Sequence, residues 1–319
     1  MLKPFVFLEL IKFTIMKKYL SHFLLPAFYL LTTISSYSQN KIVVFQSDFG
    51  FKDGAVSAMK GVAMGVDSSL KLFDLTHEIP AYNIWEASYR LEQTVPYWPA
   101  GTVIVSVVDP GVGTSRKSVV LKTGKGHFIV TPDNGTLTLI AQSEGIAEIR
   151  EIDEKVNRRT GSEKSYTFHG RDVYAYTAAR LASGAISYEK VGPLLPNKVV
   201  GIEYQKAILE NKKIKGTISI LDVQYGNIWT NIPDDLFGEL GLKIGDILHV
   251  VIYHNKIKAY ENDMPYTATF GAVAKGKPLA YLNSLLQVSF ALNQGSFSAV
   301  HHVYSGSEWT VEISRKKVN

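Results

Sequence analysis

Residues 102–116 read TVIVSVVDPGVGTSR. An apolar run ends on a carboxylate, Asp109, and a guanidinium, Arg116, follows seven positions later. Further along, TFHGRD (167–172) sets His169 and Arg171 just ahead of a helical segment. An acid, a permanent cation and an imidazole are the side chains of proton transfer and of anion stabilisation. Backbone N–H groups at a helix start also favour anions and electron-rich atoms. Each residue has a plainer reading as well. Asp-Pro-Gly is a turn sequence, and a histidine ahead of a helix serves to cap or to pack it.

The elements around these residues alternate. KIVVF (41–45) is a strand that runs into QSDFGFKDG, and SAMKGVAMGV (57–66) has helical character. KLFDLT (71–76) is a second strand, NIWEASYRLEQTVPYW (83–98) a second helix, and TVIVSVVD a third strand. SVVLKT and HFIVTPDNG form a further strand pair, and DVYAYTAARLASG (172–184) is a helix that stops on Gly184. Strands alternating with helices predict a Rossmann-like α/β domain with a mainly parallel sheet, over residues 40–204. In such sheets ligands bind beyond the carboxyl ends of the strands. Asp48, Asp74 and Asp109 are read as ending the first three strands, where each either faces a site or caps the next element.

The pattern changes after about residue 204. VGPLLPNKVVGIEY reads as a linker. IKGTISILDV, ILHVVIYH, PLAYLN and WTVEIS then follow without long helices, and DDLFGELG is the one helical stretch among them. Residues 212–319 are predicted to form a mostly antiparallel, barrel-like β domain.

Composition narrows the partners. The chain has 319 residues, 46% hydrophobic and 20% charged, which is ordinary globular material for one to three domains. Lys3, Lys12, Lys17 and Lys18 against Glu9 put +3 of the formal +5 in the first 39 residues, which leaves +2 for the rest. That is no case for nucleic acid. The absence of cysteine excludes disulfides, thiolate nucleophiles and cysteine metal sites. From Met16, MKKYLSHFLLPAFYLLTTISSYSQN has two lysines, an apolar stretch and a small-x-small site at Ser36–Ser38, which is a signal-peptide pattern. The apolar run is short for a bilayer span. Residues 1–39 are therefore set apart from the fold as a signal peptide, with a retained anchor as the alternative. The expected location is exported or periplasmic, or cytoplasmic if the true start lies elsewhere.

Several segments, taken together, resemble the S-adenosylmethionine hydroxide adenosyltransferases, relatives of the fluorinases and chlorinases. SDFGFKDGAVSAMKG, DLTHEIPAYNIWEASYRL, VVDPGVGTSRKSVV, TPDNGTLT, TFHGRDVYAYTAA, DVQYGNIWTNI and YLNSLLQVSFALNQGS carry the resemblance in order across residues 41–300. It implies attack of water or hydroxide on C5′ of S-adenosylmethionine, giving adenosine and L-methionine, with Asp109, Arg116 and His169 around the attacking water. The leaving group is a neutral thioether, so no general acid is required. What the reaction needs is a better nucleophile, aligned behind the C5′–S bond.

The resemblance also implies binding roles. Asp48 matches the acid on the ribose hydroxyls, and Asp53 a residue near the methionine end. Asp222 and Asn227 match groups on the amino-acid ammonium and the adenine. Tyr225 and Trp229 match aromatic positions beside the nucleoside, and Asn283 and Ser284 a pair in the C-terminal domain. Leu285 stands where fluorinase-type sequences carry arginine. No cofactor beyond the substrate and no catalytic metal are expected. The family implies a homotrimer whose site lies between one subunit's N-terminal domain and its neighbour's C-terminal domain.

Two alternatives stay open. A halide-using relative is disfavoured by Asp109 and Gly170, where fluorinase-like sequences carry a tyrosine and a hydroxyl residue, because a carboxylate repels a halide. An exported binding protein without turnover is kept open by the compartment, since S-adenosylmethionine is made in the cytoplasm. The remaining histidines carry less. His77-Glu78 lacks the second histidine of a zinc motif, His127 is read as structural, and the neighbours His301 and His302 are read as strand residues facing opposite ways.

Overall fold

The first strand, β1 (Ile42–Ser47), is buried along nearly its whole length. Its neighbours are β2 (Lys71–Thr76) and β3 (Val103–Val107), and both pairings are parallel. In this computed structural model, which describes residues 40–316, six strands make the first sheet in the order β2-β1-β3-β5-β4-β6. β4 (Ser118–Thr123) runs antiparallel to both β5 (Phe128–Pro132) and β6 (Ile146–Glu151). The signal-peptide reading falls on residues 1–39, outside the described residues.

Alternation along the strands builds two cores. Val43 and Phe45 face helix α1 (Ala55–Val66), while Val44 between them faces helix α2 (Ile84–Thr94) on the other side. Central parallel strands covered on both faces need continuous apolar sequence, and IVVF and VIVSV supply it. α2 starts on Asn83, whose side chain accepts from Glu86 N. A short helix α3 (Thr138–Ser143) lies beside it. The predicted helix over 172–184 consists of one wide π-helical turn, Gly170–Ala175, and helix α4 (Tyr176–Ser183). It ends at Gly184 with φ 80°, a left-handed conformation that glycine adopts without steric cost.

Eight strands form the second sheet. Seven follow one path, from β11 (Ile257–Pro265) through β10 (Ile247–His254), β14 (Trp309–Arg315), β8 (Lys213–Asp222), β9 (Asn227–Pro233) and β13 (Gln287–Leu292) to β12 (Pro278–Leu282). Every pairing along it is antiparallel, and the short β7 (Ile208–Glu210) adds to β8. A bridge between Tyr266 and Ala280 brings the two ends together, so the sheet nearly closes into a barrel around Ile218, Ile232, Val250, Phe290 and Val311. The α/β and barrel-like fold classes read from the sequence are both present.

The two sheets meet at α2. Trp85 Nε1 donates to Ser219 O at 2.8 Å, and the ring packs on Tyr204. Ile202 and Tyr204, from the stretch read as a linker, fill this seam with Leu139 and Ile220. Among the described residues no helix is long and apolar enough to cross a membrane.

Candidate active site

β2 lies on one side of β1 and β3 on the other, so a crevice opens beyond the ends of β1 and β3. Asp48 leaves β1 there and Asp109 follows β3 by two residues, with Ser47 and Val107 in register. Between them is a cleft of about 270 Å³, lined by both acids and by Phe49, Tyr82, Phe168 and His169 among others.

Three distant segments converge on its floor. Arg116 grips Asp109 with two donors: Nη2 lies 2.6 Å from Oδ2, and Nε is 3.0 Å from each oxygen. Arg116 Nη1 also donates to Ser118 Oγ at 3.0 Å. The Tyr174 hydroxyl donates to Asp109 Oδ2 at 3.3 Å, and burial pushes that phenol far above its usual range. Arg116 Nη2 reaches His169 Nδ1 at 2.7 Å. The acid, the cation and the imidazole singled out in the sequence therefore form one array, although 53 residues separate Arg116 from His169.

His169 sits at the head of the π-helical turn, a geometry that recurs at functional sites. Gly170 keeps that turn close to the sheet. A Cβ there would meet Val107 Cγ1 at 3.2 Å, and Met59 Sδ and Phe49 Cε2 at 3.3 Å. Burial pushes the imidazole of His169 below its ordinary value. Glu154 pulls it back, and Arg116 and Arg158 push it down again.

The chain matches SAM hydroxide adenosyltransferase N-terminal domain over residues 43–192 and SAM hydroxide adenosyltransferase C-terminal domain over residues 216–310. It belongs to that family. An (R)-S-adenosyl-L-methionine hydrolase of Salinispora arenicola is 42% identical over 273 residues, 84% of this chain and 97% of the relative. The protein of that name from Methanocaldococcus jannaschii is 36% identical over 217 residues, 67% of this chain and 74% of the relative. A fluorinase of Actinopolyspora mzabensis is 26% identical, covering 88% and 99%. An uncharacterised conserved protein from Thermotoga maritima has a solved structure with TM-score 0.77 and 36% identity, covering 86% of this chain and 100% of its own.

For this SAM hydroxide adenosyltransferase-family chain, the expected binding residues divide into two groups. Asp48 is in the cleft, where its Oδ2 accepts from Tyr82 N at 2.9 Å. Asp53 is exposed, and its Oδ1 accepts from Ala55 N at 2.8 Å, in a turn just ahead of α1. The C-terminal residues line other surfaces. Asp222 and Asn227 close the β8–β9 hairpin, with Asn227 Nδ2 donating to Asp222 Oδ2 at 3.1 Å. Tyr225, 67% exposed at the tip of that hairpin, borders a separate hollow with Ser296 and Tyr304. Trp229 packs into the seam between the sheets. Asn283 Oδ1 accepts from Leu285 N and Gln287 N and shapes the β12–β13 turn, on which Ser284 is exposed. None of these six lines the cleft that holds Asp109.

Some expectations need correction. Asp74 lies within β2, opposite Phe45, and its carboxylate pairs with Lys60 at 2.6 Å. Arg171 turns from the cleft to a two-point pair with Asp172, over the Phe168 ring. His301 and His302 are no strand pair: His301 ends a short helix and His302 takes a left-handed conformation with φ 53°. His127 is held between Glu144 and Trp98 O, as a structural histidine should be.

Sequence reasoning missed Arg158 and a set of polar groups beneath Asp48 that runs from the partly exposed Lys60–Asp74 pair to the buried His77 and Ser47. In that set Lys60 bonds Asp74, whose Oδ1 lies 3.0 Å from His77 Nε2, and His77 Nδ1 is 2.6 Å from Ser47 Oγ. Ser47 Oγ in turn accepts from Phe49 N, and Gly50 N donates to His77 O. The signal was present in the alternation of β1 and in DLTH, but each residue taken singly reads as turn or cap.

Proposed function

We propose that this protein hydrolyses S-adenosyl-L-methionine to adenosine and L-methionine by attack of water on C5′. The observation that carries this reading is the continuous Asp109–Arg116–His169 array on the floor of a cleft whose rim is Asp48. A carboxylate at a strand end is held rigidly enough to aim at a bound water. Asp109 takes the proton as the oxygen attacks, the C5′–S bond breaks, and its electron pair leaves with the neutral thioether. The charge of Arg116 offsets that of Asp109, so hydroxide developing beside the pair meets little net repulsion. His169, buried between cations, orients the array without supplying a positive charge of its own. Asp48 is suited to both ribose hydroxyls, since an ionised carboxylate only accepts hydrogen bonds.

The second set of binding residues supports an assembly. In one chain Asp222, Tyr225, Asn227 and Ser284 lie on barrel hairpins away from the cleft, and a homotrimer in which a neighbour's hairpins close the cleft would unite the two sets. Tyr225, exposed at its hairpin tip, would then bring stacking worth about 1–3 kcal/mol per base.

Product separation after incubation with S-adenosylmethionine, with and without fluoride or chloride, tests the reading. Adenosine and methionine in equal amounts, independent of halide, are expected. A 5′-halo nucleoside, or tight binding without turnover, overturns it.

A further inference from the structure

Arg158 lies in a charged loop, DEKVNRRTGSEK. Its side chain is only 9% exposed. Arg158 Nη2 is paired with Glu154 Oε2, and Nη1 donates to Ser165 O at 3.1 Å. The same Nη2 stands 2.9 Å from His169 Nε2. Both ring nitrogens of His169 therefore face a guanidinium, Arg116 at Nδ1 and Arg158 at Nε2. Guanidinium groups only donate, and a neutral imidazole has a single lone pair in the ring plane. One of the two contacts must set N–H against N–H. Arg116 is anchored by Asp109 and Ser118 and makes the shorter contact, so Nδ1 is the nitrogen that accepts. The ring proton then sits on Nε2, facing Arg158.

The geometry points to Arg158, with Glu154 behind it, as a positioning residue of the reaction that keeps the His169 imidazole neutral, while Arg116 at Nδ1 sets its tautomer and holds the ring beside Asp109. A second proton on Nδ1 would displace Arg116 and place a third cation between two others. The groups that face the ring are Arg116 and Asp109 from the β3–β4 loop, Arg158 and Glu154 from the loop after β6, and Tyr174, whose ring stands edge-on at 6.4 Å. This inference deepens the hydrolytic reading and rests on it for its catalytic consequence, but the state of the ring can be read without turnover.

The experiment is a ring-carbon NMR titration of His169, assigned by loss of its signal in His169→Asn, alongside the pH profile of kcat. Arg158→Gln removes the cation and leaves Glu154, so the midpoint and the acid limb of kcat should both rise by about one pH unit, with KM within about twofold. Glu154→Gln removes the opposing charge, and both should move the other way. Arg158→Lys keeps the charge and should leave the midpoint within about 0.3 units of the parent. Should Arg158→Gln fail to fold, the opposite sign in Glu154→Gln and the silence of Arg158→Lys decide the matter. Midpoints that do not move in folded variants, or that move the same way in both, overturn the proposal. Absence of any adenosine would instead sink the hydrolytic reading and leave the titration to decide this one.

Discussion

Two buried imidazoles lie near the ends of β1 and β3, His77 behind the Asp48 loop and His169 in the lining of the cleft, and their surroundings are opposite in kind. His77 is fully buried beneath the Asp48 loop and lies between a hydroxyl and a carboxylate. Asp74 accepts the Nε2 proton, Ser47 donates to Nδ1, and every hydrogen bond has a giver and a taker. His169 is 4% exposed and lies between two guanidinium groups that both give. The first arrangement is what a fold needs to hold a loop. The second is costly in a low dielectric, because one contact is always mismatched. A mismatch of that kind persists only where the surroundings over-determine it, and such sites cluster where chemistry is done. The contrast assigns structure to His77 and function to His169 more firmly than burial alone.

The largest effect should come from Asp109→Asn. The amide keeps the shape and an acceptor for Arg116 but cannot take a proton. A loss in kcat of about 10²–10⁴, with KM little changed, is expected from adenosine release followed by chromatography. Activity within a few-fold of the parent would remove the right-hand member of the comparison, since the array around His169 would then hold no base.

A crossed pair of variants probes the comparison directly. His169→Asn should lower kcat by about 10–100-fold and leave chemical denaturation nearly unchanged, because the removed ring relieves a mismatch as it breaks a contact. His77→Asn should cost about 1–3 kcal/mol of stability, from the lost bonds to Ser47 and Asp74, and should raise KM through a loosened Asp48 loop. The same outcome for both variants would erase the distinction drawn here.

Acid should weaken the fold through His77. Burial holds its imidazole below the ordinary 6.5, against the pull of Asp74. The unfolded chain therefore binds more protons than the folded one as pH falls below that value. The stabilising contribution is fully present above about pH 6.5 and is lost as pH falls through the folded value. The Asp74 carboxyl, held low by Lys60 and His77 despite partial burial, adds loss of the same sign at lower pH. Melting temperature followed from pH 8 to pH 5 should drop less steeply in His77→Asn than in the parent. Parallel curves would show that His77 is not the group responsible.

Much of this was legible in the sequence, for physical reasons that differ by region. The central strands announce themselves because burial on both faces demands runs such as IVVF and VIVSV, and Asp48 and Asp109 stand out as the acids that end them. The barrel follows from strands without long helices between them. Asp74 was misplaced because the strand read over 71–76 runs two residues past it, so the acid sits inside β2 opposite Phe45 and not at its end. Arg158 was invisible: adjacent charges in a loop look solvated, and only the fold brings that loop back over His169. Pairings that span tens of residues leave no local period to detect. The division of the binding residues between the cleft and the barrel hairpins was equally hidden, since motif order says nothing of which surfaces meet.

The smallest expected effect concerns Asp53, which sits just after the Asp48 loop and has two roles to choose between. Its Oδ1 accepts from Ala55 N in the turn that leads into α1, an exposed contact of the ordinary kind. If that is all it does, Asp53→Ala should cost about 0.5–1 kcal/mol and leave KM for S-adenosylmethionine unchanged. Asp53→Asn should restore the turn contact, since an amide oxygen accepts as well. If Asp53 instead lies against the methionine end of the substrate, the placement the family resemblance implies, both variants should raise KM, and the asparagine should not rescue it where the charge is what is lost. KM measured beside denaturation midpoints for the two variants therefore separates a loop held for its shape, like the one His77 supports, from a group that touches the substrate.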